Sequence, residues 1–288
     1  MTGRATARPS CALDTALWLG GGPGAGKTTV ARLLTRRHGL RWYNADARTW
    51  AHRDRAVAAG HPAALRFERL APEARWALPE DDLLEMALHH DRGPMIADDL
   101  RALPPDPLTL AEGTAVTPAL AGTGHRSVWL LPAPEVQRAR LAERDLAPGP
   151  AALYRRLAEE IRAEVTASGG RIVEVDGRMG ALETAARVEA LFGAALTTGP
   201  RATTAAGRRT LLRQANRAVV DQYTAYFARS WSRGSVRDAV QPFLCECGRQ
   251  GCGADVPLAV ADFPPPPDDP AGAAPVLADG HQVVHGDG

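Results

Sequence analysis

Short apolar runs alternate with longer amphipathic stretches between residues 16 and 196. Apolar runs of this length, bounded by polar or glycine residues, are typical of buried strands. They predict strands at residues 16–19, 40–46, 108–111, 128–131 and 172–175. Strands that are separated by helical stretches predict a five-stranded parallel sheet with helices on both faces.

Apolar residues at helical spacing fill most of the chain between these strands. Val30, Leu33 and Leu34 predict a helix that ends at Gly39, because glycine commonly caps helix C-termini. Residues 47–103 predict several helical pieces interrupted by prolines. Further helices are predicted at residues 135–145, 153–166 and 181–196.

The chain beyond residue 196 has a different composition. Residues 197–207 are rich in Thr, Gly and Ala and predict a linker, whereas residues 209–231 predict a long helix that packs on the domain or on a partner. A tail rich in Pro, Asp, Gly and Ala begins at Phe263 and predicts poor order. The predicted organisation is an N-terminal tail (1–14), an α/β domain (15–196), a linker (197–207) and a helical, cysteine-rich C-terminal module (208–288).

Charge and composition exclude several classes of protein. The 288 residues carry 34 Lys+Arg and 33 Asp+Glu, and this balance argues against a general nucleic-acid coat, which needs a marked cationic excess. No apolar run approaches the roughly 18 residues of a membrane span, and no secretory signal is evident. Four cysteines, three of them close together, do not form the pattern of a secreted disulfide framework. We therefore expect a cytoplasmic protein.

The cations comprise 33 arginines and a single lysine, Lys27, which stands in a glycine-rich run between the first predicted strand and helix. Gly21, four further residues, Gly26, Lys27 and Thr28 match the Walker A pattern in the strand–loop–helix context that this motif requires. Backbone N–H groups of such a loop cradle the phosphates of ATP, the threonine hydroxyl is a ligand of Mg²⁺, and the compact lysine ammonium fits where the arginine fork does not. The predicted ATP-binding residues are Gly21, Gly22, Pro23, Gly24, Ala25, Gly26, Lys27, Thr28 and Thr29, with Thr28 on Mg²⁺.

With these motifs the sequence resembles the P-loop kinases of the nucleoside-monophosphate-kinase-like group, which includes shikimate, gluconate and adenylate kinases. The resemblance covers roughly residues 15–196 and rests on the glycine loop, on Asp46 and Glu112 at the ends of strands two and three, and on the arginines that follow strand four. It implies a sheet of order 2-3-1-4-5 with the phosphate site at the carboxyl ends of the strands. It also implies ATP, Mg²⁺ and a small-molecule acceptor.

The resemblance implies roles for individual residues. Asp46 matches an acid near the acceptor hydroxyl and Mg²⁺, although an aspartate here could equally cap the next helix. Glu112 stands where the Walker B acid is found and would orient metal-bound water or substrate, unless it belongs to an ordinary turn. Arg144 matches a lid arginine that clamps phosphates, with a solvated surface arginine as the alternative. The predicted catalytic residues are Lys27, Asp46, Glu112 and Arg144.

The long insert between strands two and three is where this family binds its acceptor. Asp98 and Asp99 imitate a second Walker B acid, but Leu100 and Leu103 continue a helical spacing and favour a helix. The acceptor itself stays open. Candidate acceptor-binding residues in the insert are Trp50, His52, Arg53, Arg55, Phe67 and Arg69.

Cys245, Cys247 and Cys252 follow C-x-C-x4-C spacing among glycines that permit tight turns. Three thiolates need one more ligand for a closed tetrahedral zinc site, and His281 is preferred over His285. Such a site would be structural because it leaves no open position for chemistry. The alternative is a loop of reduced thiols or a redox pair.

The leading hypothesis is an ATP- and Mg²⁺-dependent small-molecule kinase. A second is a nucleotide-dependent switch or regulatory ATP-binding protein that acts on a protein partner through its C-terminal helix and zinc module. Nucleic-acid binding by the zinc module is disfavoured because basic and aromatic residues are not interleaved there.

Overall fold

A computed structural model describes residues 11–265 and 274–284 of the chain. The first ten residues of the predicted N-terminal tail, residues 266–273 of the Pro-rich tail and His285 lie outside the described ranges. Within those ranges no helix combines the length and apolar character needed to cross a bilayer.

Five parallel strands form one sheet of order β2-β3-β1-β4-β5. They are β1 (Leu17–Gly21), β2 (Arg41–Asn44), β3 (Thr109–Glu112), β4 (Ser127–Pro132) and β5 (Ile172–Val175). Every residue of β1, β3 and β4 is buried, as expected for central strands that helices cover on both faces. The predicted fold class and strand order are confirmed.

Helices connect these strands and continue beyond them. In chain order the described helices are α1 (Ala12–Thr15), α2 (Lys27–His38), α3 (Thr49–Ala58), α4 (Pro62–Arg69), α5 (Pro72–Trp76), α6 (Glu80–Met86), α7 (Arg92–Arg101), α8 (Pro118–Ala121), α9 (Pro134–Ala142), α10 (Pro148–Ala167), α11 (Ala181–Phe192), α12 (Ala194–Thr198) and α13 (Ala205–Phe227). The insert is thus helical, and Asp98 and Asp99 lie in α7 rather than at a strand end.

Two hydrophobic layers enclose the sheet. On one face, Leu34 of α2 and Val188 of α11 pack against Leu19 and Leu130 of the central strands. On the other face, α7 packs on Trp18 and Ala111, and α10 packs on Trp129 and Leu131. This arrangement leaves the carboxyl ends of β1, β2 and β3 free to carry polar side chains.

The segment predicted as a linker is tied to the domain. It contains the end of α12, the start of α13 and an extended stretch between them. The Leu108 amide donates to the Pro200 carbonyl at 2.8 Å, and the Ala202 amide donates to the Gly39 carbonyl at 2.9 Å. Gly193, with φ of 45°, separates α11 from α12 and breaks the single closing helix that the periodicity predicts.

The C-terminal module packs on the domain. Helix α13 contacts β2 and α3, and it also contacts a hairpin of β6 (Val240–Leu244) and β7 (Asp255–Ala259) that the sequence reasoning missed. Asp255 of this hairpin forms ion pairs with Arg32 and Arg36 of α2, each at 2.5 Å. The cysteine-rich turn lies between the two strands of the hairpin.

Candidate functional site

The glycine loop joins the end of β1 to the start of α2. Gly21 has φ of +131°, and a Cβ there would lie 2.1 Å from the Leu130 carbonyl oxygen, so no larger residue fits. Gly26, with φ of +88°, is the N-cap of α2, and no side chain caps this helix end. The first amides of α2 are therefore available to an anion, with the helix dipole favouring negative charge.

Helix α9 holds the loop in place. Gln137 Nε2 donates to the Pro23 carbonyl at 3.2 Å, and Arg140 Nη1 donates to the Gly24 carbonyl at 2.8 Å. Both contacts act on backbone and leave loop amides free. Arg140, one of the arginines that follow strand four, therefore supports the loop, and Gln137 was missed.

Lys27 is buried and folded back on the loop. Its Nζ donates to the Gly22 carbonyl at 2.9 Å, and its residue is 5% exposed. Burial lowers the pKa of this ammonium, the charges of Asp46 and Glu112 oppose that shift, and the charge of Arg144 adds to it. A phosphate bound beside Lys27 would therefore stabilise the charged form of its ammonium group.

Glu112 ends β3 and is fully buried. Its Oε1 accepts a hydrogen bond from Thr28 Oγ1 at 3.2 Å, whereas Oε2 has no hydrogen-bond partner among the described residues. Burial, with the nearby Asp46 charge second, raises its pKa to about 8. The Trp42 indole N–H lies near this carboxylate but outside hydrogen-bond geometry. An unpartnered buried carboxylate oxygen beside a threonine hydroxyl fits a bound cation or its water.

Asp46 follows β2 in a short 3₁₀ turn. Its carboxylate accepts from the Thr114 amide at 3.1 Å and from Thr114 Oγ1 at 2.9 Å, and Arg92 Nη1 lies 4.0 Å away. Its side chain does not cap the following turn, which was the alternative role. The side chain remains 37% exposed and lines a cavity. Thr114 and the buried Arg92 were missed because neither stands in a motif.

A cavity of about 720 Å³ opens in front of these groups. Lys27, Thr28, Asp46 and Arg144 all line it, so the predicted catalytic residues converge there, with Glu112 bonded to Thr28 behind them. From the glycine loop, Pro23, Gly24, Gly26 and Thr29 also line the cavity, whereas the buried Gly21, Gly22 and Ala25 do not.

The insert residues divide into two groups. Trp50, Arg53 and Phe67 line the cavity, and their role in acceptor binding stays a prediction. His52 and Arg55 instead bond Asp99, at 3.0 Å and 2.8 Å, and belong to a network that supports the fold. Arg69 is exposed at the end of α4 and does not line the cavity.

Cys245, Cys247, Cys252 and His281 come together in the C-terminal module. Their ligand atoms all lie within 4.8 Å of one another, and the cysteines are free thiols. His281 Nδ1 lies 3.3 Å from Cys245 Sγ and 3.6 Å from Cys252 Sγ. A tetrahedral zinc with bonds of about 2.3 Å spaces its sulfurs by roughly 3.8 Å, so this group has the composition and size of a Cys₃His metal site.

Buried polar contacts fix this group to α13. The Glu246 carboxylate pairs with Arg213 at 2.6 Å and accepts from Asn216 Nδ2 at 2.9 Å. The Ala278 amide donates to Cys245 Sγ at 3.4 Å, a contact of the kind that orients metal ligands. Arg213 and Asn216 lie three residues apart on one helix face. This spacing in the sequence could have indicated that α13 binds the cysteine-rich turn, but it was not used.

Comparison with known proteins adds little. No family model matches the chain, and no curated protein matches it. Among solved structures, a sugar kinase from Janibacter sp. HTCC2649, in unliganded form, is similar at 19% identity over 62% of this chain and 95% of that chain, with a TM-score of 0.34. The function of this chain must therefore be inferred from its own residues.

Proposed function

We propose that the protein is an ATP- and Mg²⁺-dependent kinase that transfers a phosphoryl group to the hydroxyl or phosphate of a small molecule. The observation that carries this proposal is the convergence of Lys27, Thr28, Asp46 and Arg144 on one cavity. These residues come from three separate segments of the chain, and the cavity has the volume of a typical small-ligand site.

The residues present fit ATP and Mg²⁺. The glycine loop and the start of α2 suit the phosphates, since no side chain caps this helix end and its first N–H groups attract an anion. Thr28 and the unpartnered oxygen of Glu112 suit Mg²⁺, directly or through water. ATP supplies the phosphoryl group, and Mg²⁺ offsets its negative charge.

The protein side chains would then position charge and move a proton. Lys27 exchanges the Gly22 carbonyl for phosphate oxygens, and Arg144 brings a second cation to the same groups. Asp46 accepts the proton of the acceptor hydroxyl, while Thr114 and Arg92 hold its carboxylate. Thr114 and Arg92 are positioning residues in this scheme.

We further propose that Cys245, Cys247, Cys252 and His281 hold a structural zinc ion. Three thiolates and an imidazole complete a tetrahedron and leave no open position. The Ala278 amide and the Glu246 contacts support the ligands from outside. Elemental analysis after purification without chelator should give close to one zinc per chain, and only a trace would remove this part of the proposal.

The kinase proposal is tested by measuring ATP turnover in the presence of each member of a panel of sugars, sugar acids, nucleosides and antibiotics. One acceptor should stimulate turnover, Lys27→Ala should abolish ATP binding, and Asp46→Asn should retain ATP binding but lose transfer. If no acceptor stimulates turnover while Lys27→Ala still abolishes ATP binding, the kinase proposal fails.

One contact favours a second candidate, a nucleotide-dependent switch. Arg32 and Arg36 of α2, the helix that begins at Lys27, bind Asp255 of the C-terminal hairpin. A shift of α2 on nucleotide binding would reach the C-terminal module and a protein partner bound to it. This function predicts slow hydrolysis independent of any acceptor and a partner retained only with ATP.

A further inference from the structure

The C-terminal module forms part of the cavity that carries the proposed kinase site. Gln222 and Tyr226 of α13 and Trp231 just beyond it line the same cavity as Lys27 and Asp46. Gln222 Oε1 accepts from the Trp50 amide at 3.3 Å. The cavity is therefore incomplete without a segment that lies outside the α/β domain.

Specific contacts hold this segment against the insert. Trp231 Nε1 donates to Glu68 Oε2 at 2.8 Å. Arg229, whose side chain is 9% exposed, pairs with Asp54 at 2.5 Å and with Glu68 at 3.3 Å. A surface that met the insert by chance would not bury such an arginine between two carboxylates, so this segment is an integral part of the site.

The segment and the insert together form an aromatic wall of the cavity, which consists of Trp50, Phe67, Tyr226 and Trp231. Trp231 lies 5.6 Å from Trp50, 5.8 Å from Phe67 and 5.8 Å from Tyr226, measured between ring centroids. Trp76 lies 6.3 Å from Phe67. Further apolar residues that line the cavity are Leu83, Met86, Leu153 and Leu157.

Arginines stack on the rings of this region, and Nε and Nη1 of the buried Arg53 have no hydrogen-bond partner among the described residues. The Arg53 guanidinium stacks on the Phe67 ring at 3.7 Å and donates to the Met86 carbonyl at 2.6 Å. Its residue is 3% exposed. The surface offered to a ligand here is mainly ring and aliphatic carbon, with the Arg53 guanidinium among the rings and further hydrogen-bonding groups around Asp46.

Resting on the proposed function, we propose that the acceptor is a hydroxylated molecule with an aromatic body, which Trp50, Tyr226 and Trp231 hold while its hydroxyl faces Asp46. Aromatic rings pair favourably with other rings, and apolar surface gains by leaving water. A small polyol would place most of its hydroxyls against ring and aliphatic carbon, which cannot pair with them, and unpaired buried polar groups are costly.

Two matched pairs of probes test this with the full-length, zinc-loaded protein. 3-Phenylpropane-1,2-diol is compared with propane-1,2-diol, and phenyl β-D-glucopyranoside with methyl β-D-glucopyranoside, by NMR binding titration. In each pair the members share their hydroxyls and differ in the ring. The phenyl members should bind at least tenfold more tightly. Equal affinities within either pair would overturn the proposal.

Variants locate the binding. Tyr226→Ala and Trp231→Ala should weaken the phenyl probes at least tenfold, whereas Val240→Ala, at an exposed residue of β6 that does not line the cavity, should leave them unchanged. Trp231→Phe keeps a ring and should retain most of the affinity, which separates loss of stacking from loss of folding. Tight phenyl-probe binding that survives both alanine variants would place it elsewhere and refute the proposal.

The outcome is separable from that of the kinase proposal. Phenyl-probe binding in the cavity, with no phosphoryl transfer from ATP to any alcohol, would leave the aromatic site standing and remove the kinase. Transfer to propane-1,2-diol or methyl glucoside in preference to the phenyl members would support the kinase and remove the aromatic site.

Discussion

Replacing Glu112 by glutamine should change how the stability of the protein depends on pH. Glu112 is buried at the end of β3, and its pKa is raised from the ordinary 4.5 to about 8. Between these two values the folded chain holds a proton that the unfolded chain has released. The free energy of unfolding of the wild type therefore falls as the pH rises through this window. Glutamine cannot ionise, so the variant lacks this contribution.

The magnitude follows from the size of the pKa change. Each pH unit corresponds to about 1.4 kcal/mol, so raising the pKa from 4.5 to about 8 gives a ceiling of about 5 kcal/mol. Proteins are stable by only ~5–15 kcal/mol, which makes even half of this ceiling measurable. The wild type should thus lose at least about 2 kcal/mol relative to Glu112→Gln between pH 5 and pH 8.

Urea unfolding of both proteins at several pH values, without added magnesium or nucleotide, measures this difference. Taking the difference cancels the titration of groups common to both chains. Asp46→Asn supplies a second arm, because Asp46 contributes to the raised pKa and its removal should make the pH dependence shallower. A difference between wild type and Glu112→Gln that stays constant from pH 5 to pH 8 would refute the reasoning.

Three further predictions concern the other groups. Cys247→Ser should lower the free energy of unfolding by about 2 kcal/mol or more and weaken the binding of the phenyl probes. Cys11→Ser, outside the Cys₃His group, should have neither effect in the same urea and NMR titrations. Thr114→Val removes the hydroxyl that donates to Asp46 and should lower kcat of phosphoryl transfer roughly fivefold, the equivalent of about 1 kcal/mol, with KM for ATP unchanged in steady-state assays. Burial lowers the pKa of His52, so this residue costs stability as the pH falls below 6.5, and the Tm of His52→Gln should drop less between pH 7.5 and pH 5.5 than that of the wild type.

The sheet and the glycine loop were predictable because their signals are local. A buried strand needs only a short apolar run, and the loop is one contiguous motif whose glycines, such as Gly21, meet steric demands visible in the structure. The resemblance pointed to Asp46 and Glu112 as the acids at the ends of strands two and three. The resemblance added the strand order, which periodicity alone does not supply.

The hairpin and the cavity wall were not predictable in this way. Strands β6 and β7 are half exposed and pair Pro242 with Pro257, so neither has the apolar alternation that marks a strand. The wall joins Trp50, Phe67 and Trp231, which are distant in sequence and have unremarkable spacing. Only the packing of α13 across the insert brings them together.

Helix α13 explains why an appendage matters to a site in the α/β domain. Along its 23 residues, Arg213 and Asn216 bind the Glu246 of the cysteine-rich turn, and Tyr226 lines the cavity. A continuous helix transmits a displacement at one part to the other because its backbone hydrogen bonds resist bending. A metal bound in the turn would therefore also fix the aromatic wall. The glycine loop rests on α9, and the C-terminal hairpin meets α2 at Arg32 and Arg36, beyond the first turn of that helix. Loss of metal should for this reason act on acceptor binding more strongly than on the phosphate side of the same cavity.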